Sequence, residues 1–564
     1  MSSAGALDSD THPQATKVLM VVAVSVTGRW RIPLAYYLTD GTSANLQETL
    51  LRTVISKLFE CGCVAVSVTM DGLPANIKTF QQLGCSFDPD NLVTTFTHPS
   101  SPDLSVAAVL DACHMMKLAR NTLAEYQVLT VPEVGKVKWQ HIEKLHKVQV
   151  EQGLKLGNKL SQSHIHYKTQ KMKVKLAVQV LSASCAKALE YLRTSGLPDF
   201  HDSQPTEVFL RKLDRLFDLL NSRSKFGKGF KRAIGCDNTQ MNISFLKDVK
   251  TFLLHLQDST GRWIVETKRK TFVLGLCVTI DSVCHLLQTL VTGNGINGVK
   301  LSYLLTYRLS QDNIETMFAI IRRRGGWNNN PTALQFKYTY RAILCHIGVA
   351  ASSSANVMCN ATDDILSVSN DDDGADDGNA DVFVSDHSYC SHDHLQSLTP
   401  YVQNVSAYIA GFVVRKLLPK LKCAECRELL VGVADSSCCW FLQLKDNGGL
   451  VKPSEGVIQI VHSAERSLRA LVAADKPVHA LARLGEHLEV AVMSDLDCRP
   501  SFKTAAHTLD TADGIDNHVY SLVRQIVRFY LRIRTFHIVK SWNDDGQGVN
   551  VRQKMTKLVL FKNQ

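Results

Sequence analysis

Three acidic residues of this 564-residue chain stand where chemistry can be done. Asp71 follows the apolar run CVAVSVTM (63–70), and Asp111 follows VAAVL (106–110). Glu315 lies in SQDNIETMFAIIRRRGGWNNNPT (310–332), with Asp312 three residues before it. Hard divalent cations such as Mg2+ take oxygen ligands, and two ions held by converging carboxylates clamp the attacking and leaving oxygens of a phosphodiester. Each acid has a second reading. An aspartate after a strand caps the following helix. Asp312 and Glu315 in a first helical turn, and Arg322 to Arg324 in the last, suit the helix dipole. Those arginines also suit a phosphate backbone.

The elements that must position these acids follow from periodicity. KVLMVVAVSV (17–26) and IPLAYYLT (32–39) are β-branched and aromatic runs that predict an antiparallel hairpin. Residues 43–60 carry Leu46, Leu50, Leu51, Val54 and Leu58 at helical spacing, a second helix is expected near 73–84, and strands end at Asp71 and Asp111. Strand-end acids lie at the carboxyl edge of an open α/β layer, where active sites sit. From about 112 to 300 the pattern is almost wholly helical. The window TFVLGLCVTIDSVCHLLQTLV is interrupted by Asp281 and His285 and reads as a buried helix rather than a membrane span.

Composition narrows the class. The net charge is +10, yet 362–386 holds nine aspartates and no lysine or arginine, so the rest of the chain carries +19. A folded remainder that basic favours a polyanionic partner. Sixteen cysteines without regular spacing fit a reducing compartment rather than a disulfide scaffold. Cys423 and Cys426 form a single CxxC, with no second pair at zinc spacing. The first residues lack the basic start and apolar run of a signal peptide, so a soluble intracellular protein without a membrane partner is expected.

The runs VAVSVTMDG, VLDACHMMKLARNTL, FDLLNSRS, LLTYRLSQDNIETMF and RRRGGWNNNPTALQF, in this order, resemble the P-element-type DNA transposases, over roughly residues 17–350 and more weakly in the tail. The resemblance implies an α/β RNase H-like core interrupted by a large all-helical GTP-binding-type insertion, plus a helical C-terminal region. It implies the boundaries 1–16 (disordered), 17–128 (core), 129–297 (insertion), 298–350 (core helices), 351–397 (acidic disordered linker) and 398–564 (helical). It also implies DNA strand cleavage and transfer in the nucleus on transposon ends and target DNA, with Mg2+ and GTP, and leaves room for a homo-oligomer. Residue by residue, Asp71 and Glu315 match catalytic, metal-holding acids, and Asp312 matches a position tied to the nucleotide and its magnesium. Phe217, Asp218 and Asn221 match the guanine-recognition segment, with Lys159 and Val174 as further nucleotide contacts. A carboxylate such as Asp218 accepts from the guanine N1 and N2 hydrogens. Asp111, Cys113 and His114 also match, with ligation, packing and capping all open.

The family's core starts with a strand carrying a first catalytic aspartate, preceded by a zinc module, and neither is visible here. Asp8 and Asp10 lie in LDSDTHPQ, too polar and proline-broken for a central strand. The two-metal site is therefore expected to be incomplete. A transposase truncated or inactive as given is the first reading, and a non-catalytic transposon-derived DNA- or protein-binding protein is the alternative. Strands 17–26 and 63–70 are each expected to lack a ladder neighbour. The chain alone is then expected to fold poorly in its core and to show no strand transfer with Mg2+.

Overall fold

Alternating β-branched and aromatic residues form the antiparallel pair β1 (Lys17–Val24) and β2 (Arg31–Thr39), with a bulge between Val21 and Val22. The structure is a computed structural model and describes residues 14–26, 30–324, 328, 330–346, 397–432, 437–473, 492 and 518–545. The expected disordered start and acidic linker fall almost entirely outside the described residues. Two compact units divide the chain, one of Met1–Glu315 with Gln396–Gln564 and one of Thr316–Leu395.

Helix α1 (Ala44–Glu60) starts at Ser43, whose hydroxyl accepts from Leu46 N at 3.2 Å. Strand β3 (Ser67–Met70) leads into α2 (Pro74–Leu83). The chain then makes β4 (Ser86–Asp88), β5 (Asn91–Val93), β6 (Thr95–His98) and β7 (Ser101–Leu110), followed by α3 (Ala112–Tyr126). The β4–β6 strands were not expected, because short runs rich in turn residues carry little periodicity. The central sheet has order β3-β7-β6: β3 runs parallel to β7 with Ser67 opposite Ala107, and β6 runs antiparallel to it. Val106 to Leu110 of β7 are wholly buried.

The insertion is not all-helical, which corrects that expectation. It opens with the hairpin β8 (Val128–Val131) and β9 (Gly135–Lys138), where VLTV and GKVK alternate about a tight turn. Helices α4 (Gln140–Glu151), α5 (Gln162–Ile165), α6 (Val174–Val180), α7 (Ala183–Thr194) and α8 (Gln204–Leu220) follow. Then come β10 (Ile234–Gly235), α9 (Thr239–Leu254), α10 (Thr271–Leu286) and β11 (Tyr303–Leu304), with β10 and β11 paired antiparallel. Helix α10 continues as a π-helical turn to Thr292. Among the described residues, Thr271–Thr292 is the one segment long and apolar enough to cross a membrane, and 78% of it is buried in the protein. It is a core helix because it docks on the sheet. Thr279 Oγ1 donates to the Leu110 carbonyl at 2.7 Å, and Ser282 Oγ donates to that of Ala108.

Helix α11 (Asp312–Arg324) is the acid-headed helix, and α12 (Ala333–His346) follows, with Phe336 and Tyr340 stacked at 6.0 Å within it. The C-terminal region comprises α13 (Pro400–Leu417), α14 (Ala424–Leu430), α15 (Trp440–Lys445), α16 (Glu455–Ala473) and α17 (His518–Asp545). Tyr401 donates to the Leu154 carbonyl at 2.7 Å, tying α13 to the insertion. Cys423 caps α14 with Cys426 buried one turn on.

Candidate functional site

Asp71 leaves β3 at its carboxyl end. Its Oδ1 accepts from Leu73 N at 3.0 Å and from Asn76 Nδ2 at 2.7 Å, so it shapes the entry to α2. Gly72 beside it has no room for a side chain, because a Cβ would meet Met115 and Thr271 at 2.8 and 2.9 Å. On the neighbouring strand Asp111 N donates to the Met70 carbonyl at 2.9 Å, which brings the two strand ends together.

Asp111 is buried and caps α3. Its Oδ2 accepts from His114 N at 2.9 Å and its Oδ1 from Gln311 N at 3.2 Å. Burial raises its pKa, against the lowering effect of those two N–H donors. The capping reading of Asp111 is thus the one its geometry realises, and the same carboxylate also holds the start of α11. Thr69 Oγ1 donates to the Leu309 carbonyl at 3.0 Å, a second tie between β3 and the approach to α11. His114 is pushed down by burial and Lys117, with Asp71 and Asp111 opposing. Cys113 is pushed well up by burial and by Asp111 and Asp312, and its Sγ lies 3.9 Å from Asp312 Oδ1. Asp111, Cys113 and His114 pack the base of the site. We expect Asp111→Ala to lower stability by about 2 kcal/mol, since it removes a cap and leaves two donors near the core unsatisfied. Chemical denaturation reads this directly.

The acid helix is joined to the insertion by a residue not singled out in the sequence. Arg223 Nη2 donates to Asp312 Oδ2 at 2.7 Å, and Arg223 Nε reaches Asn221 Oδ1 at 3.4 Å. The only signal for it was its place in NSRS, directly after FDLLN. Thr306 fixes the geometry: its hydroxyl donates to the Leu219 carbonyl and accepts from Ser222 N at 3.0 Å. The end of α8 is therefore clamped to the segment that enters α11.

Phe217 packs against the core, and Asp218 beside it is half-buried. Burial raises the Asp218 pKa to about 6. Lys231 Nζ, at 3.8 Å, opposes the shift and Asp214 adds to it. Lys159 is exposed before α5 and Val174 opens α6. Among the described residues no hydrogen bond or ion pair joins Lys159 or Val174 to Asp218 or Asn221. The structure thus brings together Asn221, Arg223 and Asp312 in one chain of contacts, and Asp71, Asp111 and the start of α11 in another.

The carboxylates as placed do not fit a two-ion site. Among the described residues no group of three or more His, Cys, Asp or Glu side chains is near enough to hold a metal ion. Asp71, Asp111 and Asp312 each accept protein donors instead. Among the described residues as placed, Mg2+ has no ready set of three ligands.

An open α/β layer whose strand-end acids meet a distant acidic helix, interrupted by a mainly helical insertion, is the layout of an interrupted RNase H-like core. Residues 2–84 match the TNP-like, RNase H N-terminal domain and 307–341 the TNP-like, RNase H C-terminal domain. Residues 113–233 match the TNP-like, GTP-binding insertion domain, and 397–540 the DNA transposase THAP9, C-terminal domain. The chain belongs to the P-element-type DNA transposase family. It is 28% identical over 568 residues to the DNA transposase THAP9 of Homo sapiens, covering 95% of this chain and 61% of that protein. It is 25% identical over 570 residues to the Transposable element P transposase of Drosophila melanogaster, covering 97% and 66%. The chain thus spans about three fifths to two thirds of these relatives. Among solved structures it is similar to the Drosophila P element transposase strand transfer complex, with TM-score 0.51 and 25% identity, covering 59% of this chain and 71% of that one.

Proposed function

We propose that this chain is the DNA- and guanine-nucleotide-binding core of a P-element-type transposase acting in the nucleus on transposon ends and target DNA. The single observation that carries the reading is the Arg223–Asp312 ion pair, which with the Arg223–Asn221 contact connects the guanine-segment candidate Asn221 to the helix bearing Glu315. A nucleotide seated against Asp218 would shift Arg223 and, through Asp312, the start of α11. GTP then acts as a positioning ligand for the DNA-facing acids rather than as fuel.

The loop after α8 supports the polyanion side of this reading. In sequence, Arg223, Lys225, Lys228, Lys231 and Arg232 flank Phe226, which is 89% exposed. Gly227 lets this loop fold back on itself, since a Cβ there would lie 2.4 Å from the Lys231 carbonyl oxygen. Basic side chains around an exposed ring suit a phosphate backbone with a base to stack on.

Strand transfer is a separate matter from binding. Among the described residues the carboxylates supply no set of three, so with Mg2+ this chain is expected to form no joined product between transposon-end and target DNA. Fluorescence anisotropy with a labelled duplex tests the binding function. Affinity should fall steeply, by roughly 10³-fold or more, between about 50 and 200 mM salt if six or more phosphates are contacted, and GTP but not ATP should tighten it. Arg223→Glu should abolish that GTP effect while GTP itself still binds. Absence of DNA binding, or equal enhancement by ATP, overturns the reading. A joined product would overturn the expectation of no strand transfer.

A further inference from the structure

We infer that the outer face of α17 is a binding track for a single nucleic-acid strand, separate from the loop after α8. Helix α17 turns Leu522, Ile526, Val527 and Tyr530 into the core and leaves Arg524, Arg528 and Arg532 exposed. These arginines recur every four residues, so they share one face, about 6 Å apart along the axis. One further step of four reaches Phe536, which is 63% exposed. Lys420, exposed in the turn that ends α13, lies beside the stripe, with its Nζ 5.1 Å from the centre of the Phe529 ring.

The ordinary reading of basic residues on a helix does not account for this stripe. Bases that complement the helix dipole belong in the last turn. Arg524 to Arg532 lie well inside a 28-residue helix whose last turn holds no basic residue. Like charges four residues apart destabilise a helix, and His518 to Lys540 contain no Asp or Glu that could relieve them within it. Arg534, by contrast, is buried and held by Glu465, so the helix separates one arginine that serves the fold from three that face outward. A row of exposed cations kept despite their mutual repulsion fits a ligand that brings a matching row of anions, and guanidinium groups suit phosphates. The ring sets the kind of strand. Phe536 closes the row, about 6 Å beyond Arg532, and an exposed ring stacks on unpaired bases, whereas those of a duplex are already stacked on one another. An acidic peptide offers carboxylates but no flat bases for the ring. The inference rests on neither the guanine-nucleotide nor the duplex reading and fails separately from them.

The probe is a fluorescent single-stranded DNA of about 20 nucleotides, long enough to cover the track, titrated with the whole chain and read by anisotropy across a salt series. The combined change Arg524→Gln, Arg528→Gln, Arg532→Gln should lower affinity about a hundredfold at about 0.1 M salt and flatten the slope of log affinity against log salt by about 2, as the loss of three phosphate contacts on a single strand requires. Thermal unfolding of that variant should stay at or above the parental temperature, because like-charge repulsion is removed. Phe536→Ala should weaken single-strand binding at least about fivefold with an unchanged salt slope, and should leave binding of a duplex of the same length unaltered. No binding of the single strand, a triple variant that binds as the parent does, or an equal loss on duplex and single strand in Phe536→Ala overturns the proposal. Polyglutamate that displaces the labelled strand as well as unlabelled strand does also overturns it, because the stripe then serves an acidic protein.

Discussion

Replacing Asp218 by alanine should erase the preference for GTP over ATP, weakening GTP about ten- to a hundredfold and leaving ATP nearly unchanged. A hydrogen bond to a charged group contributes about 1.5–3 kcal/mol, and each 1.4 kcal/mol is tenfold in affinity. Only the ionised carboxylate accepts from both guanine N–H groups, and burial, with Asp214 adding and Lys231 opposing, places its pKa at about 6. GTP affinity should therefore be level at high pH and fall by up to about tenfold per unit as pH drops below 6.

The stability effect has the opposite sign. The folded-state pKa lies above the ordinary 3.8, so the contribution of Asp218 to stability is fully present below the unfolded value and is lost as pH rises through 6. At pH 8 the ionised carboxylate is a cost, and Asp218→Asn should unfold at a slightly higher temperature than the parent while binding GTP less well. Calorimetric titration paired with thermal unfolding separates this from simple misfolding. Equal parental affinity for GTP and ATP sinks the guanine assignment.

Replacing Glu465 by alanine should destabilise the main unit by about 3–5 kcal/mol, the cost of stranding buried charge. Glu465 in α16 is fully buried. It accepts from Arg534 at 2.8 and 2.9 Å, from Arg469 at 2.9 Å and from the Tyr530 hydroxyl at 2.7 Å. Burial pushes its carboxyl up, but Arg534, Tyr530 and Arg469 together outweigh that and hold it below its ordinary value. The two arginines continue into the insertion, Arg534 to the Gly153 carbonyl at 3.2 Å and Arg469 to that of Gln152 at 2.5 Å. Loss of Glu465 leaves Arg534 buried without its carboxylate, and the insertion's contact with α16 and α17 should loosen with it. Denaturant unfolding measures the loss, and hydrogen exchange at 150–156 should rise. A change below about 1 kcal/mol would assign the network no net role in stability.

Much of the local architecture was legible in the residues themselves. The β1–β2 hairpin, α1, strands ending at Asp71 and Asp111, and α11 opening at Asp312 all follow from alternation, helical spacing and capping chemistry carried by neighbouring residues. The candidate guanine segment was legible through its resemblance alone, since nothing in FDLLN distinguishes it from an ordinary amphipathic helix end. Three features were not legible. The β8–β9 hairpin lies in a stretch read as helical, because four-residue strands are too short for periodicity to separate them from turns. The stripe of α1 marks an apolar face, but whether that face meets side chains or a cavity depends on what packs opposite. Arg223 carries no mark that sets it apart from the other basic residues around it.

Sequence by itself determined the longer strands and helices and which acids stand at their ends, since backbone preference and hydrophobic period are set within a few residues. Only the tertiary structure decided that Asp111 caps α3 while holding Gln311, 200 residues away. It alone decided that Arg223 reaches Asp312 across 89 residues, and that β1, β3 and α1 line a shared cavity. Contacts at such separations arise from the summed packing of whole elements against one another, and no local pattern encodes that sum.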